Sequence, residues 1–309
     1  MRFVQYRAGD GALRAALMPP DGSILVDLAQ ACHETAHAAH DSATRCPLTM
    51  LDLIGMGDAG LRLARDAGER HGSWPRAVHA VDDVRLASPI HGCLDVYCVG
   101  VNYHEHSAEF QGEDADLPQT PIVFSKTAGS IIGPGDDILL QTGLSEEVDY
   151  EAELAVVLAA GGRNIAREDV HDHIFGFTAL NDVTARDLQR SHQQWLLGKS
   201  LDTFCPIGPV LVHISAFDWP LELDIACYVN DELRQQSNTK HLLFDVPELV
   251  STISRGRTLN PGDIIATGTP RGVGMGFQPP RFLKPGDIVT VELERVGRLT
   301  NTCTEDRGG

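Results

Sequence analysis

The chain has 309 residues, 42% of them hydrophobic and 22% charged, which is enough apolar material for one large domain or a catalytic domain with a small appendage. Its formal net charge is −18, with no basic block, and this argues against nucleic acid and anionic membrane surfaces as partners. An acidic chain that binds an anionic substrate must do so through local cations.

No segment reaches the apolar length of a membrane span, since the longest clean run extends only from Leu154 to Ala160. The opening Met1-Arg2-Phe3-Val4-Gln5-Tyr6-Arg7 lacks the apolar core of a signal peptide. Cys32, Cys46, Cys93, Cys98, Cys205, Cys227 and Cys303 are odd in number and contain no Cys-x-x-Cys pair. They read as reduced thiols, and the expected location is cytoplasmic.

Alternating apolar residues between Gly, Pro and Asp turns predict short strands at 2–7, 13–18 and 24–28. Helices near 29–40 and 48–70 complete a small N-terminal α/β unit over residues 1–75. Past residue 90 the texture becomes strongly β, and the fold class expected for 90–305 is α+β and β-rich. Pro-Gly-Asp occurs at 134–136, 261–263 and 285–287, each time ahead of apolar residues, so each reads as a tight turn feeding a strand. Helices are expected only near 167–174, 183–196 and 246–255.

The residues with the clearest chemistry are Glu151 and Glu153, in Val148-Asp149-Tyr150-Glu151-Ala152-Glu153-Leu154. In a strand they point to the same face, where two carboxylates repel and are costly to desolvate. A divalent cation between them resolves the conflict, and Asp182 offers a third carboxylate. If the segment from Asp182 is helical, Asp182, Arg186 and Gln189 share one face as ligand, anion clamp and hydrogen-bond donor. A solvent-exposed polar face satisfies the same spacing. His106 and Glu109, at i and i+3, form a pair suited to a general base, with the carboxylate raising the basicity of the imidazole. Lys199 lies between apolar segments and suits a place beside an anion or enolate, or an ion pair with Asp202. The Thr267–Gly274 loop exposes amides and hydroxyls after a strand, and Pro279-Pro280 rules out a dinucleotide reading. His171 and His173, like His33 and His37, lack an evident third ligand and read as surface histidines.

Taken in order, these stretches resemble the fumarylacetoacetate hydrolase superfamily. The resemblance runs through Val99-Gly100-Val101-Asn102-Tyr103 with His106 and Glu109, Pro121–Lys126, Val148–Leu154 and Asn181–Gln189. It continues through Gly198-Lys199-Ser200, Gly208-Pro209, Pro261-Gly262-Asp263 and Thr267–Gly274. In length and in its opening segment the chain is most similar to the branch related to oxaloacetate tautomerases. The resemblance implies a mixed β-roll catalytic domain, generally homodimeric, with Glu151, Glu153 and Asp182 holding Mg²⁺ or Mn²⁺. It also implies a catalytic role for His106, Glu109 and Lys199, and substrate contacts from Arg186, Gln189 and Thr269. Lys126 matches a recurring position without an assigned role. The additional aspartate that the name-giving enzyme uses ahead of its histidine has no counterpart here.

The substrate class implied is a small α-keto acid. The activity expected first is hydrolysis of a carbon–carbon bond in a β-diketo acid of the acylpyruvate type, through a metal-stabilised pyruvate enolate. The alternatives are oxaloacetate keto–enol tautomerisation or decarboxylation, or isomerisation of an unsaturated 2-hydroxy diacid. A catalytically silent binding protein of the same fold would be expected to lack one of the metal carboxylates or the dyad, and all five residues are present.

Overall fold

The computed structural model describes residues 1–38, 46–93, 95–105 and 117–306, without the side chains of 36–38. A twelve-stranded mixed sheet forms its spine. Its central strand, Ala152–Leu158, is buried at every position. Leu154, Val156 and Leu158 face a core shared with a second, five-stranded sheet, while Ala155 and Val157 face the core beneath the N-terminal helices. Both faces are therefore covered, which explains a continuous apolar run in place of alternation. Burying each large side chain there contributes about 1.5–3 kcal/mol.

The first three strands form at Arg2–Arg7, Leu13–Met18 and Ile24–Asp27, where alternation places them. They extend the spine through Arg2 and Phe3, which pair with Val212 and Leu211 on strand Cys205–His213. We propose that residues 1–75 and 90–305 are two units sharing this one continuous sheet. The α+β, β-rich class is as expected, and each Pro-Gly-Asp makes a turn with its glycine at positive φ, followed by strands Ile138–Leu140, Ile264–Ala266 and Ile288–Leu293.

The helical expectations need correction at three places. The 48–70 segment divides into Met50–Gly55 and Asp58–Arg70 at Gly57, whose φ of 53° no α-helix continues. Residues Arg167–His173 form a 3₁₀ helix. The expected helix over 183–196 is instead a short strand, Thr184–Ala185, then helices Arg186–Ser191 and Leu196–Lys199. Thr184 and Ala185 pair with Asp149 and Val148, so tertiary pairing overrides the local helix signal. Among the described residues no helix is long and apolar enough to cross a membrane.

The reading of seven reduced thiols is also corrected. Cys32 and Cys46 are joined in a disulfide, their Cα atoms 5.6 Å apart, and the other five cysteines are free and buried. Protein purified without reductant and denatured should therefore titrate five thiols with Ellman's reagent, and seven after reduction. Seven without reduction would remove the bridge.

Candidate metal and active site

Backbone pairing brings the three carboxylates together. Strand Ala152–Leu158 runs antiparallel to Ile174–Asn181, with Ala152 opposite Asn181. One residue beyond that pair, Asp182 N–H donates to the Glu151 carbonyl at 2.9 Å, and Glu151 N–H donates to Asn181 Oδ1 at 3.0 Å. On the other edge Ala155 pairs with Ala266, so the chain leaving that strand passes Glu153, and Gly268 N–H donates to Glu153 Oε2 at 2.8 Å. Ligand atoms of Glu151, Glu153 and Asp182 all lie within 4.8 Å of one another, and all three residues are buried. Three converging carboxylates are hard oxygen donors, and they fit a divalent cation.

Three buried cations surround this cluster. Lys199 Nζ lies 2.9 Å from Glu151 Oε2 and 2.6 Å from Asp182 Oδ2. Lys126 Nζ lies 2.6 Å from Asp182 Oδ1 and donates to the Val183 carbonyl at 2.9 Å. Arg186 binds Glu151 Oε1 through Nη1 at 2.7 Å and Asp149 Oδ2 through Nε at 2.9 Å. Burial alone would lower the Lys199 ammonium, but Asp182 and Glu151 push it above its ordinary value. The Arg186 guanidinium is likewise raised, with burial outweighed by Glu151 and Asp149.

Glu153 has a different environment. Burial, with Asp182 and Glu151 beside it, drives its carboxyl well above the usual range, opposed by Lys199 and the Gly268 amide. Counting Asp149, the site sets four buried carboxylates against three buried cations, so ionising Glu153 leaves one negative charge in excess. An uncompensated buried charge is costly. A dication removes the excess and leaves a positive site for an anionic substrate.

Asp149 is a functional residue that the sequence reading missed. It is fully buried, and it accepts from Arg186 Nε, from Tyr150 N–H at 2.9 Å, from Gly274 N–H at 2.6 Å and from Met275 N–H at 3.1 Å. One carboxylate thus fixes Arg186 and ties the 272–276 loop to the carboxylate strand. Its position two residues ahead of Glu151 was the available signal. Gln235 was missed as well: its Oε1 accepts from Ala152 N–H, and its Nε2 donates to Thr269 Oγ1 and the Pro270 carbonyl.

Arg186, Gln189, Lys199 and Thr269 all line a cavity of about 160 Å³ against Glu151, closed on its apolar side by Phe124 and Trp195. The structure gathers the three expected substrate contacts and the expected catalytic lysine at the carboxylate cluster. Lys199 pairs with Glu151 and Asp182, not with Asp202, and lies over the Phe124 ring at 4.9 Å. The shared helical face expected for Asp182, Arg186 and Gln189 is not formed: the helix begins at Arg186, and Asp182 belongs to the strand end. His106 and Glu109 lie outside the described residues. The backbone leading to them is held by Asn102, which donates to the Phe244 and Thr267 carbonyls and accepts from Phe244 N–H.

With this geometry in place, comparison with known proteins is informative. Residues 95–304 match the family model described as fumarylacetoacetate (FAA) hydrolase C-terminal. The chain is 42% identical over 264 residues to the oxaloacetate tautomerase YisK of Bacillus subtilis, covering 82% of this chain and 86% of that protein. It is 39% identical over 304 residues to the mitochondrial oxaloacetate tautomerase fahd2 of Xenopus laevis, covering 97% and 89%. The solved structure of a fumarylacetoacetate hydrolase from the psychrophile Exiguobacterium antarcticum superposes with a TM-score of 0.79 at 34% identity, covering 99% of this chain and all of that one. The cytoplasmic expectation is corrected by these relatives, since the Xenopus protein is mitochondrial by name.

The ion-pair geometry yields a stability test. Lys126→Met leaves Asp182 with Lys199 alone and should destabilise the protein by about 3–5 kcal/mol in denaturant titrations, the range for breaking a buried pair. Saturating Mn²⁺ should recover part of that loss. A change below about 1 kcal/mol would show that Lys126 contributes little to neutralising the cluster.

Proposed function

The chain belongs to the fumarylacetoacetate hydrolase family, and on that premise we propose that it is a Mg²⁺- or Mn²⁺-dependent oxaloacetate keto–enol tautomerase. It is an enzyme acting on a keto-acid substrate, with an acidic cluster able to hold a divalent metal. The observation that carries the finer reading is the set of open donors in a small cavity beside that cluster. At about 160 Å³ it is well below the roughly 300–1,000 Å³ of pockets for drug-sized ligands, which suits a keto acid of four or five carbons. Among small keto acids the names of the two tautomerase relatives favour oxaloacetate, and for this reason tautomerisation takes precedence over the acylpyruvate hydrolysis expected first.

Glu151, Glu153 and Asp182 would hold the metal, which when bound supplies Lewis-acid stabilisation of charge on the keto oxygen. Arg186 has Nε and Nη1 engaged, while its buried Nη2 has no hydrogen-bond partner among the described residues. It is assigned to a substrate carboxylate, which guanidinium recognises well. Gln189 Oε1 accepts from Arg186, which leaves its NH₂ group to donate. Thr269 Oγ1 accepts from Gln235, which leaves the hydroxyl hydrogen for the ligand.

Tautomerisation moves one proton from carbon 3 to the keto oxygen and breaks no carbon–carbon bond. We assign removal of the carbon-bound proton to His106, oriented by Glu109, and donation toward the enol oxygen to Lys199. The family expectation of a homodimer is retained as part of the proposal.

Stopped-flow absorbance of enol-oxaloacetate gives the test. The metal-loaded protein should accelerate loss of the enol, EDTA should abolish the effect, and Lys199→Met should slow it about 10²–10⁴-fold. Enol loss no faster than the uncatalysed reaction, together with release of pyruvate from acetylpyruvate, would replace this reading with the hydrolase.

A further inference from the structure

Strand Glu232–Asn238 presents its residues alternately to two sides. Gln235 points inward to Ala152 and Thr269, whereas Arg234 and Gln236 line a separate cavity of about 340 Å³ together with Arg271 and Phe277. The Arg234 side chain is only 8% exposed, yet its Nε and Nη1 have no hydrogen-bond partner among the described residues. Buried donors left without acceptors cost about 1–3 kcal/mol each, more when charged, and the neighbouring Tyr150 hydroxyl is neutral and leaves the Arg234 charge uncompensated.

The nearest carboxylate does not satisfy Arg234. Both oxygens of Glu232 are held by Arg281 at 2.7 Å, and Arg234 Nη2 reaches Glu232 only at 3.4 Å. Arg271 forms no ion pair among the described residues. Both guanidiniums lie against the Phe277 ring, 5.4 Å from its centroid for Arg234 and 5.2 Å for Arg281. Arg234 and Arg281 thus share one carboxylate, and Arg271 lines the same cavity as Arg234, in a chain whose net charge is −18. A cationic cluster of this kind, set in an acidic molecule, selects anions locally.

We propose that Arg234 and Arg271 form a second anion site, separate from the catalytic cavity, for a small polyanion bearing carboxylate or phosphate oxygens. Both groups present planar acceptor oxygens to the guanidinium fork. The site rests on the back of the catalytic loop. A Cβ on Gly272 would lie 2.0 Å from the Arg234 carbonyl oxygen, so loop and strand are in direct backbone contact. Tyr150, one residue ahead of Glu151, donates to the Gly272 carbonyl at 3.1 Å. Thr269 and Met275 of the same loop line the catalytic cavity. An anion held by Arg234 and Arg271 therefore bears on the loop that Asp149 anchors from the other side.

The test is calorimetric titration of the full chain with tricarballylate and, separately, with inorganic phosphate. Saturable binding of either is expected, and which one binds identifies the source of the oxygens. Arg271→Gln, at an exposed position, and Arg234→Gln should each weaken it at least tenfold, while Lys199→Met leaves it unchanged. Should Arg234→Gln fail to fold, Arg271→Gln alone decides. No saturable binding of either anion, or undiminished binding in Arg271→Gln, overturns the proposal. Loss of binding in Lys199→Met with retention in Arg271→Gln places the anion in the catalytic cavity and also overturns it.

Discussion

The structure is organised around one electrostatic constraint: Glu151 and Glu153 are buried at the end of a strand that the core requires to be apolar, with Asp149 just ahead of them and Asp182 at the end of the neighbouring strand. Leu154, Val156 and Leu158 continue directly from the acidic residues, so the cluster cannot move to solvent without unseating the centre of the sheet. Lys126, Arg186 and Lys199 answer it from three different elements. Each sits where water is excluded, so Coulombic terms there are stronger than at the surface and so is the cost of leaving a group unpaired. The cations fall one short of the carboxylates, and with this imbalance the cluster could hold a divalent cation.

The same constraint explains the shape of the loops. Gly268 N–H reaches Glu153, while Gly274 and Met275 N–H reach Asp149, so the segment after strand Ile264–Ala266 is stitched to the acidic strand at both ends. Thr269 and Met275 are thereby presented to the cavity by backbone held on rigid neighbours. Precise placement of this kind is what catalysis by positioned donors demands. Asp149 contributes twice, since it also sets the plane of the Arg186 guanidinium and leaves Nη2 open.

How much of this was legible in the sequence depended on the range of the interaction. Glu151 and Glu153 could be read from two-residue spacing alone, and the Pro-Gly-Asp turns from local backbone chemistry. Asp182 was visible as a third carboxylate, but its setting was not, because its spacing to Arg186 and Gln189 also suits one face of a helix. In the fold Asp182 N–H pairs with Glu151, and Thr184-Ala185 pairs with Val148-Asp149. The partnership of Lys126 with Asp182 spans 56 positions, and no local pattern records it. Cys32 and Cys46 were hidden by the odd cysteine count, which one bridge among seven residues leaves odd. The family was readable because many short motifs occur in order. The reaction was harder to read, because one enolate serves hydrolysis, decarboxylation and tautomerisation alike.

The central claim is that the three carboxylates form a single divalent-cation site. Electron paramagnetic resonance of free Mn²⁺ during titration of the protein tests it most directly. The account expects one tightly bound ion per chain in the wild type and loss of that ion in Glu153→Gln, whose removed charge is the one no lysine or arginine contacts among the described salt bridges. Tight Mn²⁺ binding that survives Glu153→Gln undiminished would contradict it.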